Sequence, residues 1–185
     1  MKKFFSIFAL FFTLSTCGTV SAGIERTAEP FSGAITYTSK FMFSDDSRNM
    51  HSIALVRTIK PLRIATAAKK FETDTYFLLN FTLQDNVMLG DTFDIKVSER
   101  YINALPLSPV VIGGIGLSRA PTARTGPREL PEMTTVAIEK GKELIVRVNF
   151  SPRGNATYTI PEEVVKEWIE VLKITGENPP EEPKK

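Results

Sequence analysis

Residues 33–43, GAITYTSKFMF, place Ile35, Tyr37, Phe41 and Phe43 on one parity and Thr36, Thr38 and Lys40 on the other. A period of two with bulky apolar groups on one side is the signature of a β-strand with one buried and one wet face. The pattern recurs outward along the chain: Ile53 and Leu55 with Arg57 and Ile59; Phe77, Leu79, Phe81 and Leu83 against Asn80 and Thr82; Phe93, Ile95 and Val97 against Asp94, Lys96 and Ser98. It returns at Val136 and Ile138, at Leu144, Val146, Val148 and Phe150 opposite Arg147 and Asn149, and at residues 157–160. With residues 62–68 included, the strands number about seven to eight.

Turn chemistry separates these segments at residues 45–49, Lys60-Pro61, Gly90-Asp91, residues 139–142 and residues 151–155. Parallel strands would need crossover helices between them, and none of the intervals holds one. The sequence therefore predicts a mainly β protein, an antiparallel β-sandwich or open barrel with one C-terminal amphipathic α-helix.

That helix is expected from Pro161 to about Lys173, because Val164, Val165, Trp168, Ile169 and Leu172 recur at three- and four-residue intervals. Pro161 suits a first turn, Glu162 and Glu163 lie where the helix dipole favours anions, and Glu162 and Lys166 have the favourable i,i+4 spacing. Gly176 is read as its stop and the stripe as a cover for an open side of the sheet. Residues 177–185, with three prolines and alternating charge, read as a disordered tail.

The N-terminus has three parts: Lys2 and Lys3, an apolar run over residues 4–14, and a small-residue stretch ending Val20-Ser21-Ala22. This is the secretory pattern, and the run is short of the roughly 20 residues of a membrane-spanning helix. Residues 1–22 are expected to be a signal peptide cut after Ala22, leaving residues 23–176 as a single β-rich domain and a product that is periplasmic or secreted. Leu14-Ser15-Thr16-Cys17 resembles a lipobox, with Thr16 where a smaller residue is usual, so the alternative is a product lipid-anchored in the envelope at Cys17.

Composition excludes several function classes. Cys17 is the one cysteine and would be lost on cleavage, which excludes a disulfide framework, a thiolate nucleophile and thiolate metal sites from the mature chain. Of 23 basic and 21 acidic residues the two surplus cations are Lys2 and Lys3, so the mature chain is formally neutral and has no basic footprint for nucleic acid. The charge is unevenly spread: residues 48–70 carry Arg48, Arg57, Lys60, Arg63, Lys69 and Lys70 with no acid, while residues 162–182 are rich in Glu.

Between Tyr101 and Met133 the alternation fails. Pro106, Pro109, Pro121, Pro127 and Pro131 argue against a central strand, and the apolar patch from Val110 to Ile112, with Ile115, is followed by Arg119, Arg124 and Arg128. The segment is expected to run on the surface, and Ile112, Ile115, Arg119, Arg124 and Arg128 are its candidate binding residues, an apolar and cationic contact for an anionic partner.

No catalytic residue is nominated. The single histidine, His51, reads as a turn-adjacent, solvated residue, and Asp45 and Asp46 nearby do not make a triad in the absence of a nucleophile elbow. Met42, Met50, His51 and Met88 supply ligand types that suit Cu(I), with Met50 and His51 adjacent, but without regular spacing. Gly113-Gly114-Ile115-Gly116 lacks the Lys-Ser/Thr of a phosphate loop. No motif is specific enough to name a family. The expected function is a non-enzymatic binding or assembly protein of the envelope or the exterior, using no cofactor and acting on another envelope or extracellular protein, with membrane contact only if Cys17 is lipidated. The alternatives are an exported carboxylate-dependent hydrolase or carbohydrate-active domain, and a periplasmic copper-binding protein in which the thioethers converge on His51.

Overall fold

A computed structural model of the protein describes residues 18–20, 23–44, 50–63, 70–83, 87–98, 100–109, 122–125, 130–141 and 143–178. The strands are β1 (Gly18–Val20), β2 (Glu25–Ala28), β3 (Ile35–Ser44), β4 (Met50–Pro61), β5 (Phe71–Phe81), β6 (Met88–Val97), β7 (Arg100–Pro109), β8 (Thr122–Thr125), β9 (Leu144–Ser151) and β10 (Gly154–Ile160). The helices are α1 (Glu132–Lys140) and α2 (Glu162–Lys173). All pairings are antiparallel, in the order β1-β3-β4-β5-β8-β7-β6-β9-β10, with β2 alongside β3.

The alternation in residues 33–43 is obeyed: Tyr37, Ser39, Phe41 and Phe43 are buried and the residues between them are half-exposed. Register carries the buried face across the sheet, with Phe43 opposite His51 and His51 opposite Phe81, and Leu55 opposite Phe77. The second layer supplies Phe93, Ile95 and Val97 of β6 with Val146 and Val148 of β9. Aromatic contacts join the layers: Phe77 to Phe93 at 5.3 Å, Phe81 to Phe150 at 5.3 Å and Phe43 to Tyr158 at 4.5 Å between ring centroids. The rings of Phe43, Phe77, Phe81 and Phe93 are fully buried and contribute about 1.5–3 kcal/mol each, while Phe150 and Tyr158 are partly covered.

Where the sequence pattern fails, β7 turns the corner between the layers. Its first part pairs with β6 as far as Pro106 opposite Thr92, and from Leu107 to Pro109 it pairs with β8. This corrects the expectation that residues from 101 onward avoid the sheet, since β7 lies between β6 and β8 and buries Leu105. The prolines are tolerated because the two in β7 fall at the ends of its paired runs, where the strand changes partner, a site where packed sheets are known to bend. At the end of β8, Thr125 is buried and its Oγ1 accepts the Phe77 N–H at 2.9 Å, and further along the Leu130 N–H donates to Thr75 O at 2.8 Å.

Val136 and Ile138 are not a strand but part of α1, which is a second correction. Their two-residue spacing misleads, because the buried repeat is Thr134 and Ile138, four residues apart, while Val136 is half-exposed. The helical punctuation was present: Pro131 before Glu132, Lys140 in the last turn and Gly141 after it. Gly141 is required by close approach, since a Cβ there would overlap Val97 Cγ1.

α2 follows β10 directly through Pro161, whose carbonyl accepts the Val165 N–H at 3.0 Å. Its buried face is Val164, Val165, Trp168, Val171 and Leu172, and Ile169 is only partly covered. Ser39 and Lys40 lie between the residues of β3 paired to β2 and those paired to β1, and α2 is fastened at that gap. Trp168 Nε1 donates to Ser39 O at 3.2 Å and Ser39 Oγ donates to Glu167 Oε2 at 2.6 Å. The indole is fully buried, edge-on to Phe77 at 5.1 Å. The helix ends at Lys173 with Ile174 extended, so Gly176 is not its stop; a Cβ on Gly176 would run into the Phe71 ring, and close packing is its role.

Candidate interaction site

The turn between β2 and β3 is built by local bonds. Glu29 N–H donates to Ala34 O at 2.8 Å, Gly33 N–H to Glu29 O at 3.0 Å, Ala34 N–H to Ser32 Oγ at 3.2 Å, and Ser32 Oγ to the Glu29 carboxylate. Gly33 takes φ +68°, a left-handed conformation that costs glycine little. With both ends of the turn held, Phe31 stands at the tip and is 97% exposed.

Facing that tip is the end of β4 and the chain that follows it. Lys60, Pro61, Leu62 and Arg63, with Glu72 of β5 and Phe31 and Ser32, line a shallow groove of about 680 Å³. Lys60 is the register partner of Glu72, and the Leu62 N–H donates to Lys70 O at 2.9 Å, which extends the β4–β5 ladder beneath the groove. The groove thus combines an exposed phenyl ring, Pro61 and Leu62 with two cations and one carboxylate. Large exposed apolar side chains rimmed by charge mark contact surfaces. Sequence reading placed an apolar and cationic contact further along the chain and missed this one; the signal for it was Pro30-Phe31 in a turn segment, an aromatic residue where turn chemistry calls for small polar groups.

A second concavity lies at the opposite ends of the same strands. It measures about 150 Å³ and is lined by His51, Phe81, Thr82, Leu83, Val87, Phe150, Arg153 and Tyr158. His51 is 5% exposed, within β4, which corrects its reading as a solvated turn residue. Its parity with Ile53 and Leu55 turns it into the core, where it stacks on Phe81 at 5.2 Å and lies 5.4 Å from Phe43, and its Nδ1 accepts the Thr82 N–H at 3.2 Å. The imidazole there acts as a polar-tipped aromatic.

Of the residues singled out from sequence, Cys17, Ile112, Ile115, Arg119 and Arg128, with Asp45 and Asp46, lie outside the described residues. Arg124 is in β8, in register with Leu78 of β5 and Ser108 of β7. Met50 is half-exposed and, like Met42, sits on the parity opposite His51, so these two thioethers and the imidazole point to different faces of one sheet. Met88, 65% exposed, is in register with Ser151. Among the described residues no group of three or more His, Cys, Asp or Glu side chains is placed to hold a metal. Asp94, buried, receives both Arg147 Nε at 2.6 Å and Nη2 at 2.5 Å on one oxygen, and the two residues are register partners.

No protein-family model, no curated protein and no solved structure matches the chain.

Proposed function

We propose that the chain is exported, cut after Ala22, and acts in the envelope or outside the cell as a non-enzymatic binding or assembly module that works through protein contacts. The observation that carries this reading is Phe31, almost wholly exposed on a pinned turn, above a groove whose other walls are Pro61, Leu62, Lys60 and Arg63. Exposed aromatic and arginine side chains are the types enriched at protein interfaces, and Lys60 adds charge at the rim. The wide, shallow form of the groove suits a protein surface better than a small substrate, which is usually enclosed. Export adds a second opening. Removal of residues 1–22 takes β1 away from residues 41–43 of β3, and a bared strand edge is a template for another chain.

The test uses the exported product as bait on native envelope fractions. The wild type is expected to retain a defined partner in a salt-sensitive manner, and the combined variant Phe31→Ser, Lys60→Ser, Arg63→Ser to lose it with its melting temperature within about 2 °C of wild type. Equal capture by the variant at every salt concentration would sink the proposed surface. Recovery of an acylated Cys17 at the N-terminus would replace the soluble product by the lipid-anchored one.

A further inference from the structure

The backbone N–H of Gly23 donates to Glu167 Oε1 at 3.1 Å, across 144 positions of sequence, while Glu167 Oε2 accepts Ser39 Oγ at 2.6 Å. The carboxylate is fixed from both sides. Trp168, its neighbour on α2, is fully buried and hydrogen-bonded to the Ser39 carbonyl, so the helix cannot turn without breaking the core. On the other side β2 is paired to residues 35–38, which holds Gly23 two positions before the first paired residue, Glu25. Gly23 has φ +98° and open space where a Cβ would stand.

Resting on the proposed export and cleavage, we infer that Glu167 is the receptor for the α-ammonium group that processing creates on Gly23. Hydrolysis by an export peptidase breaks the Ala22–Gly23 C–N bond; the oxygen of water goes to the Ala22 carboxylate, and the Gly23 nitrogen departs as an amine and takes up a proton. A nitrogen that offered one amide proton now offers three and a full positive charge, to the same carboxylate oxygen. Hydrogen bonds of that charge-assisted kind are roughly twice as strong as neutral ones. The contact therefore strengthens on cleavage, and it clamps the new N-terminus to α2 and β3 beside the edge that β1 has left. The fold gains a modest stabilisation in its processed form, of the size of an exposed ion pair.

Proton linkage gives the inference its test. Pairing raises the affinity of the amine for its proton in the folded state, so the stabilisation is complete below the ordinary α-amine value of about 7.7–8.0 and is lost as pH rises through the higher folded value. The charged groups nearby are Glu25 and Lys40, paired to one another at 2.7 Å on β2 and β3, and Glu163, Lys166 and Glu170 along α2. Carboxylates and lysines as classes titrate outside the window from pH 7 to 9.

The full chain is expressed with its own N-terminus in a bacterial host, and the exported product is sequenced, which decides the processing separately from the pairing. Gly23 is the expected first residue; any other overturns both the cut and the receptor role. In the Gly23-terminated protein, the melting temperature should fall by about 2–4 °C more between pH 7 and 9.5 than in Glu167→Gln. The α-amine followed by NMR should titrate above its ordinary range in the wild type and within it in Glu167→Gln. Nα-acetylated wild type, which keeps Glu167, should match the flat pH response of the variant and serves where that variant does not fold. With Gly23 confirmed, identical pH responses of the acetylated and free forms overturn the receptor role alone.

Discussion

Arg57 Nε donates to the carbonyl oxygen of Ile174 at 2.8 Å, tying the core-facing side of β4 to the end of α2. Nη1 of the same guanidinium donates to Thr75 Oγ1 at 3.0 Å. Arg57 shares its parity with Ile53, Leu55 and Ile59, where an apolar residue is the norm. Its presence is explained by the Ile174 carbonyl at the helix cap, which has no intrahelical donor and takes one from the guanidinium instead. Replacing Arg57 by Met keeps the stem and removes the donors, and should cost about 1.5–3 kcal/mol in urea unfolding. Arg57→Lys should recover only part of that, because an ammonium cannot reach both acceptors as a planar fork does.

Trp168 combines two contributions that substitution can separate. Trp168→Ala should cost about 3–5 kcal/mol, the range for emptying a large aromatic site in a core. Trp168→Phe keeps most of the packing against Phe77 and loses the bond to Ser39 O, and should cost about 1–3 kcal/mol. A loss below about 1 kcal/mol for the alanine variant in reversible denaturation would mean that α2 does not hold the β3 edge.

Tyr37 is buried, and its hydroxyl has no hydrogen-bond partner among the described residues. A buried hydroxyl without a partner carries a desolvation penalty of about 1–3 kcal/mol. Tyr37→Phe should therefore leave stability unchanged or raise it by up to about 1 kcal/mol, measured by thermal or urea unfolding. A clear loss of stability would show that the hydroxyl is bonded in solution.

The pair Glu162–Lys166 on α2 lies at 2.8 Å with both side chains exposed. Its hydrogen bond, and then its charge, hold the Glu162 carboxyl below the usual carboxylate range and push Lys166 up. A carboxylate lowered in the folded state adds stability above its unfolded value and loses it as pH falls through the folded one. The difference in melting temperature between wild type and Lys166→Met should be small at pH 7, shrink with added salt, and vanish under acid in which Glu162 is protonated.

Short-range periodicity settled much of the fold class. Ile35, Tyr37, Phe41 and Phe43, then Phe77, Leu79 and Phe81, fix which face of each strand is inward, because neighbouring Cβ atoms point to opposite sides of a sheet whatever its partners. The stripe from Val164 to Leu172 likewise defines α2 by its three- and four-residue spacing alone. Periodicity failed where only two positions carried it, at Val136 and Ile138, since a pair of apolar residues fits a strand and a helix alike. Its failure along β7 had another cause: a strand that changes partner at a corner is buried by one layer and then the other.

The sites needed the tertiary structure for a different reason. The turn at residues 29–33 is not among the turns expected from the sequence, and that Phe31 faces the end of β4 depends on the long-range register of β3 with β4. His51 reads as a loop residue until Phe81 is brought beside it by β5, and Glu167 reads as a solvated helix charge until Gly23 and Ser39 reach it. Sequence by itself determined the N-terminal order of lysines, apolar run and small residues, the absence of cysteine downstream of Cys17 and the alternating core, all of which are read from the chain alone. Only the tertiary structure decided which distant groups meet, Gly23 with Glu167 and Arg57 with the Ile174 carbonyl, and which aromatic group stays bare, because those contacts join positions that chain proximity does not relate.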